Sequence, residues 1–133
     1  MQVSDNRRQQ SEQLDALLAR CECLVTAEAM QTAYARLAGE INQRLAGHLP
    51  VVLAVMNGGL ISAGQLLPRL AFPLELSYLH ATRYRGATTG GALKWLAQPD
   101  IELAGREVLL VDDILDEGTT LAAVREWCVD AGA

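Results

Sequence analysis

The stretch "VLLVDDILDEGTTL", Val108 to Leu121, sets four acids directly behind an aliphatic run. Two unit charges about 6 Å apart repel by roughly 2–3 kcal/mol at an effective dielectric near 20. Stability alone would not keep Asp112, Asp113, Asp116 and Glu117 together, and a cation or ligand hydroxyls could return that energy. Gly118 permits a tight turn into a helix, whose free N–H groups and positive end favour an anion such as phosphate. Thr119 and Thr120 add hydroxyl donors, although Thr and Asp also serve as ordinary helix caps. Neighbouring strand residues point to opposite sides, so Asp112 and Asp113 need not reach the same atom. Carboxylates accept from ribose hydroxyls and also bind Mg²⁺. A phosphate cradle just beyond a diol-binding pair describes a site for a ribose 5-phosphate. The chain has no Gly-Lys-Ser/Thr and no GxGxxG, which disfavours a P-loop kinase or a Rossmann dehydrogenase. A receiver-like phosphoacceptor would also set acids at a strand end, but the Gly-Thr-Thr cradle speaks against it.

These residues need a scaffold, and the hydrophobic pattern supplies one. Leu14, Leu17, Leu18, Cys21, Leu24 and Val25 follow a polar leader at helical spacing. A second helical set runs through Met30, Tyr34, Leu37, Ile41 and Leu45, with Thr26 as N-cap and Gly47 as its stop. "VVLAVM" (Val51 to Met56) reads as a strand covered on both faces, ending in Asn57-Gly58-Gly59. "LISAGQLLPRL" is a helix interrupted near Pro68, and "LELSYL" (Leu74 to Leu79) is another strand. "HATRYRGATTGG" (His80 to Gly91) has loop chemistry, and "ALKWL" resumes a strand. "ELAGRE" is a turn, "VLLV" a third buried strand, and Thr119 to Ala131 a helix presenting Leu121, Val124 and Cys128 on one face. Alternating strands and helices imply an α/β fold with a mostly parallel sheet flanked by helices. In such sheets ligands sit beyond the carboxyl ends of the strands. Asn57 to Gly59 and Asp112 to Thr120 both follow strands at that edge.

The 133 residues are half hydrophobic, which suits one domain: a helical region over 1–47 and an α/β core over 48–133. A net charge of -5 and a pI near 4.9 argue against nucleic acid or anionic membrane as partners. No apolar run approaches the roughly 20 residues of a spanning helix, and the polar start is unlike a secretory signal. Cys21, Cys23 and Cys128 form no metal pattern, and read as reduced thiols in structural roles in a cytoplasmic protein.

With those residues on the page, "VLLVDDILDEGTTL" resembles the phosphoribosyl-pyrophosphate (PRPP) signature of the type I phosphoribosyltransferases. From about Leu37 onward the order of motifs is similar to the hypoxanthine-guanine branch. "VMNGG" stands where that branch has its pyrophosphate loop, which usually contains a cis peptide. "LHATRYRGATTGG" stands where it has a mobile closing loop. The resemblance implies transfer of ribose 5-phosphate from PRPP to hypoxanthine or guanine, giving IMP or GMP and pyrophosphate. It implies that Asp112 and Asp113 hold the ribose hydroxyls and Mg²⁺, with Asp116 as proton acceptor beside the purine. Asp116, Glu117, Gly118, Thr119 and Thr120 would bind the 5-phosphate, and Asn57, Gly58 and Gly59 the pyrophosphate. Arg83 and Tyr84 would lie on the closing loop, in a homodimer or homotetramer. Glu117 stands where the family often has Thr or Ser, Arg83 where it has Ser, and Asn57 where it has Lys. The family's base-reading lysine and stacking aromatic follow the helix after the signature, so they are expected beyond Ala133, the chain lacking the C-terminal part. The alternative is a PRPP-binding regulator of the same fold without catalysis.

Overall fold

The computed structural model describes residues 2–83 and 93–133, and the chain forms two compact units, Met1–Thr32 and Ala33–Ala133. The first unit holds α1 (Gln2–Leu18) and the start of α2 (Ala27–Leu45). The spacing predicts a helix reaching Val25, but α1 lies earlier. Gln, Arg and Glu in the polar leader are good helix formers, so the helix occupies the leader itself. Its last turn tightens, with Arg20 N–H on Leu17 O at 3.0 Å and Cys21 N–H on Leu18 O at 3.1 Å. Cys21, Leu24 and Val25 therefore fall in the connection, and Cys21 and Cys23 are exposed free thiols rather than packed ones. Thr26 caps α2 as expected, its Oγ1 accepting from Ala29 N–H at 3.2 Å. Gly47, at φ 87°, ends the turn that follows α2.

The second unit is built on β1 (Val51–Val55), buried at all five positions. Only a strand covered on both faces can carry such an unbroken aliphatic run. β1 pairs in parallel with β2 (Glu75–Arg83) and β4 (Val108–Val111), and β2 pairs antiparallel with β3 (Leu93–Ala97). The sheet order is β3-β2-β1-β4. α3 (Gly59–Leu66) runs into a short 3-10 turn, Leu67–Arg69, where Pro68 removes a backbone donor. α4 (Thr119–Asp130) follows β4.

Alternation along the strands sorts the core into two layers. Val51, Leu53 and Val55 pack with Leu79, Ala81, Val124 and Cys128, and Trp95 and Trp127 lie against them with ring centroids 4.8 Å apart. Val52 and Ala54 pack on the other side with Ala38, Ile41, Ala63 and Leu66. The sequence reading ends the second strand at Leu79, whereas β2 continues through His80 to Arg83. Those four residues gain ladder partners from β3, across a bulge at His80/Ala81. Below the sheet, Arg106 bonds Glu75 at 2.9 Å and Leu49 O at 2.7 Å. The turn between β3 and β4 uses Gly105 at φ 69°.

Candidate active site

β1 and β4 lie side by side in parallel register, so the segments leaving their carboxyl ends emerge at one rim. The Met56–Asn57 peptide is cis, and Leu60 N–H closes the turn on Asn57 O at 3.2 Å. A Cβ on Gly58 would overlap the Asp113 carboxyl, and one on Gly59 would overlap the Val111 carbonyl. The two loops are therefore in direct contact, backbone against side chain and backbone.

Asp112 is half-buried, while Asp113, Asp116 and Glu117 are exposed. The Asp113 N–H donates to Asp112 Oδ1 at 2.9 Å. Burial pushes the Asp112 carboxyl above its ordinary 3.8, and the neighbouring Asp113 carboxyl adds to the rise, while that backbone bond works the other way. A cation or a hydroxyl donor would relieve this crowding. Among the described residues no group of three or more His, Cys, Asp or Glu could hold a metal ion. A pair of acids fits Mg²⁺ held jointly with substrate oxygens, its usual mode, better than a resident ion.

Gly118, at φ 72°, is the N-cap of α4 and supplies no side-chain bond. The first intrahelical bond runs from Ala122 N–H to Gly118 O at 2.8 Å. The N–H groups of Thr119, Thr120 and Leu121 thus have no helical acceptor. The capped-turn alternative does not describe this helix start, which is open to an anion. Glu117 is exposed. Arg83 is the last residue of β2, and Tyr84 lies outside the described residues.

Two features escaped the sequence reading. The contact between Gly58 and Asp113 joins residues far apart in the chain, and adjacent glycines signal a turn whatever they touch. Tyr34, read as a packing residue, places its hydroxyl 3.3 Å from that of buried Ser62, tying α2 to α3 behind the Gly59 turn. A cavity of ≈ 420 Å³ lies elsewhere, lined by Leu37, Ile41, Arg44 and Leu66 along β4. It is mainly aliphatic and is distinct from the acidic rim.

The mostly parallel α/β sheet, with an acid pair and an uncapped helix start at its carboxyl edge, has the architecture in which ligands sit beyond the strand ends. The chain belongs to the phosphoribosyl transferase domain family, which it matches over residues 22–133. Among its curated relatives, the hypoxanthine-guanine phosphoribosyltransferase of Lactococcus lactis is 31% identical over 97 residues, covering 71% of this chain and 53% of that protein. The Bacillus subtilis protein of the same name is 26% identical over 104 residues, 77% of this chain and 58% of its own. A solved hypoxanthine-guanine phosphoribosyltransferase from Bacillus anthracis superposes with a TM-score of 0.78 at 27% identity, covering 84% of this chain and 67% of that one. A hypoxanthine phosphoribosyltransferase from Staphylococcus aureus gives 0.77 at 22% identity, with 83% and 60% covered, and shares the fold. The chain spans about half the length of the curated relatives it matches.

Proposed function

We propose that this chain carries the PRPP-holding part of a purine-salvage phosphoribosyltransferase, which moves ribose 5-phosphate from PRPP to hypoxanthine or guanine. The observation that carries the reading is the pairing of the Asp112–Asp113 carboxyls with the uncapped α4 start at one strand edge. In this reading the free N–H groups of Thr119 and Thr120, the hydroxyls beside them and the backbone of Glu117 and Gly118 hold the 5-phosphate. Asp112 and Asp113 accept from the ribose hydroxyls. The Asn57–Gly59 turn faces the pyrophosphate, and Arg83 and Tyr84 belong to a closing segment. Asp116, exposed at the rim, takes the proton that the purine loses. Asp112 and Asp113 would hold Mg²⁺ jointly with substrate oxygens, and the ion would supply charge neutralisation for the departing pyrophosphate.

The three free cysteines, two of them exposed, support a reducing, cytoplasmic location. No helix among the described residues is long and apolar enough to cross a membrane. Exposed Leu60, Ile61, Leu76 and Tyr78 support assembly as a homodimer or homotetramer, which sedimentation would show.

Calorimetric titration of the chain with PRPP in Mg²⁺ tests the reading. Saturable binding of PRPP, with little affinity for free hypoxanthine, is expected. Absence of PRPP binding would overturn it, and tight binding of the purine alone would place the base site within these 133 residues.

A further inference from the structure

We infer that Asp113 is a positioning residue: its carboxyl is the seat on which the Asn57–Gly59 turn rests. The ribose-side and pyrophosphate-side loops then hold their places together. The ligands named below rest on the PRPP reading, whereas the contact itself does not.

The first observation concerns Gly58. Its φ of -59° and ψ of -46° are ordinary right-handed values that any residue adopts. Gly59 is not among the positive-φ glycines either. Backbone conformation therefore does not demand glycine at either position. Space does. A Cβ on Gly58 would overlap the Asp113 Cγ and both of its carboxyl oxygens. A Cβ on Gly59 would overlap the Val111 carbonyl oxygen and lie 3.2 Å from the Asp112 Cα. Two successive residues of one loop are bare where they meet three successive residues of the other.

The second observation concerns how Asp112 and Asp113 divide their work. Asp112 is half-buried and accepts the Asp113 N–H. That bond holds the backbone of the second acid by the side chain of the first. Asp113 then sends its carboxyl towards Gly58, next to the first residue of α3. A negative group is favoured at that helix end. The arrangement is a relay: Asp112 fixes Asp113, and Asp113 fixes the turn that leads into α3. Behind the turn, the Tyr34–Ser62 bond steadies α3 from its other side. A ligand that orders Asp113 would order the Asn57–Gly59 turn with it, so the two halves of a pyrophosphorylated sugar would be received by one prepared surface.

A double-mutant cycle on the 133-residue chain reads the contact without any ligand. Overpacking of a tight site is destabilising, and Gly58→Ala should lower the melting temperature by about 5 °C or more. On an Asp113→Gly background, where the seat is vacant, the same change should cost less than half as much. Equal losses in the two backgrounds would overturn the inference. Titrations with Mg²⁺–pyrophosphate and, separately, with ribose 5-phosphate then read the positioning. Asp113→Ala should weaken Mg²⁺–pyrophosphate binding by about 5-fold or more, and Asp113→Asn, which keeps a planar group in the seat but not the carboxylate, should still show the full melting penalty of Gly58→Ala. If the Asn background relieves that penalty as fully as Gly does, the residue acts by its charge and the inference falls. The inference falls also if both variants lose only ribose 5-phosphate, because Asp113 is then simply a diol ligand. Should the unmodified chain bind neither compound, the PRPP reading fails while the cycle alone decides the contact.

Discussion

Asp112 is held in a place that costs stability. Burial and the adjacent Asp113 carboxyl raise its proton affinity in the folded chain, so the unfolded chain gives up that proton first. Stability is therefore lost as pH climbs from about the ordinary 3.8 through the raised folded value. In metal-free buffer, Asp112→Asn is expected to raise the melting temperature at pH 7 and to leave it unchanged at pH 3. A gain of the same size at both pH values would remove ionisation as the cause. The same variant should bind PRPP less well, since a carboxamide is a weaker acceptor for the ribose hydroxyls. Asp116 is exposed at the rim. If it serves as the proton acceptor, Asp116→Asn in a protein that also carries the base-reading part should lower nucleotide formation by about 10²-fold or more with little change in PRPP affinity. Rapid-quench turnover against equilibrium binding separates the two. At this scale the sequence shows the acids, glycine and threonines gathered after one strand, and the structure puts them together at that strand's carboxyl end. The partnership of Asp113 with Gly58 was not legible, because nothing in a pair of glycines names what will lie against them.

Between residues and molecule stands the β4–α4 connection. Gly118 at φ 72° makes the bend, and a Cβ there would come 3.1 Å from Leu115 Cδ1. Gly118→Ala should cost about 1–2 kcal/mol in stability from the left-handed conformation alone, and should weaken 5-phosphate binding as the α4 start tilts. Urea denaturation and titration with ribose 5-phosphate measure the two losses. α4 is anchored by Val124 and Cys128, both buried against β1 and β2. Burial also raises the Cys128 thiol above its ordinary value, disfavouring the reactive thiolate. Iodoacetamide is expected to label Cys21 and Cys23 quickly and Cys128 only after denaturation, as intact mass would show. Rapid labelling of all three would mean that α4 leaves the sheet readily. The elements themselves were largely legible where local signals suffice: the aliphatic run of β1, the Thr26 cap, the Gly47 stop, and the face of α4. β2 was read short because its last residues owe their strand form to β3. α1 was read late because helical spacing of leucines does not say where the surrounding polar residues begin to coil.

For the molecule as a whole, the two units rest on different physics. In Ala33–Ala133 the strands bury Val51, Val52, Leu53 and Leu79 almost completely between helical layers. In Met1–Thr32 every described side chain from residue 5 onward is exposed, including Leu14, Leu17 and Leu18. A helix the length of α1 that buries nothing is marginal in water, because its own hydrogen bonds barely offset nucleation. Its ion pair of Arg8 with Glu12 at 3.3 Å lies mostly in solvent, and such pairs contribute roughly 0.3–0.5 kcal/mol. The regular apolar spacing therefore reports what this segment can cover, not what it covers in the single chain. Amide exchange is expected to follow that division. The α1 amides should exchange within seconds, while those of β1, bonded on both sides and shielded by both layers, should require opening of the whole sheet. Trypsin should cut after Arg20 well before Arg106, whose guanidinium is bound to Glu75 and Leu49. Strong protection of α1 at micromolar concentration, fading on dilution, would instead show its leucines to be covered by another copy of the chain. Protection that does not change with concentration would contradict the marginal helix outright.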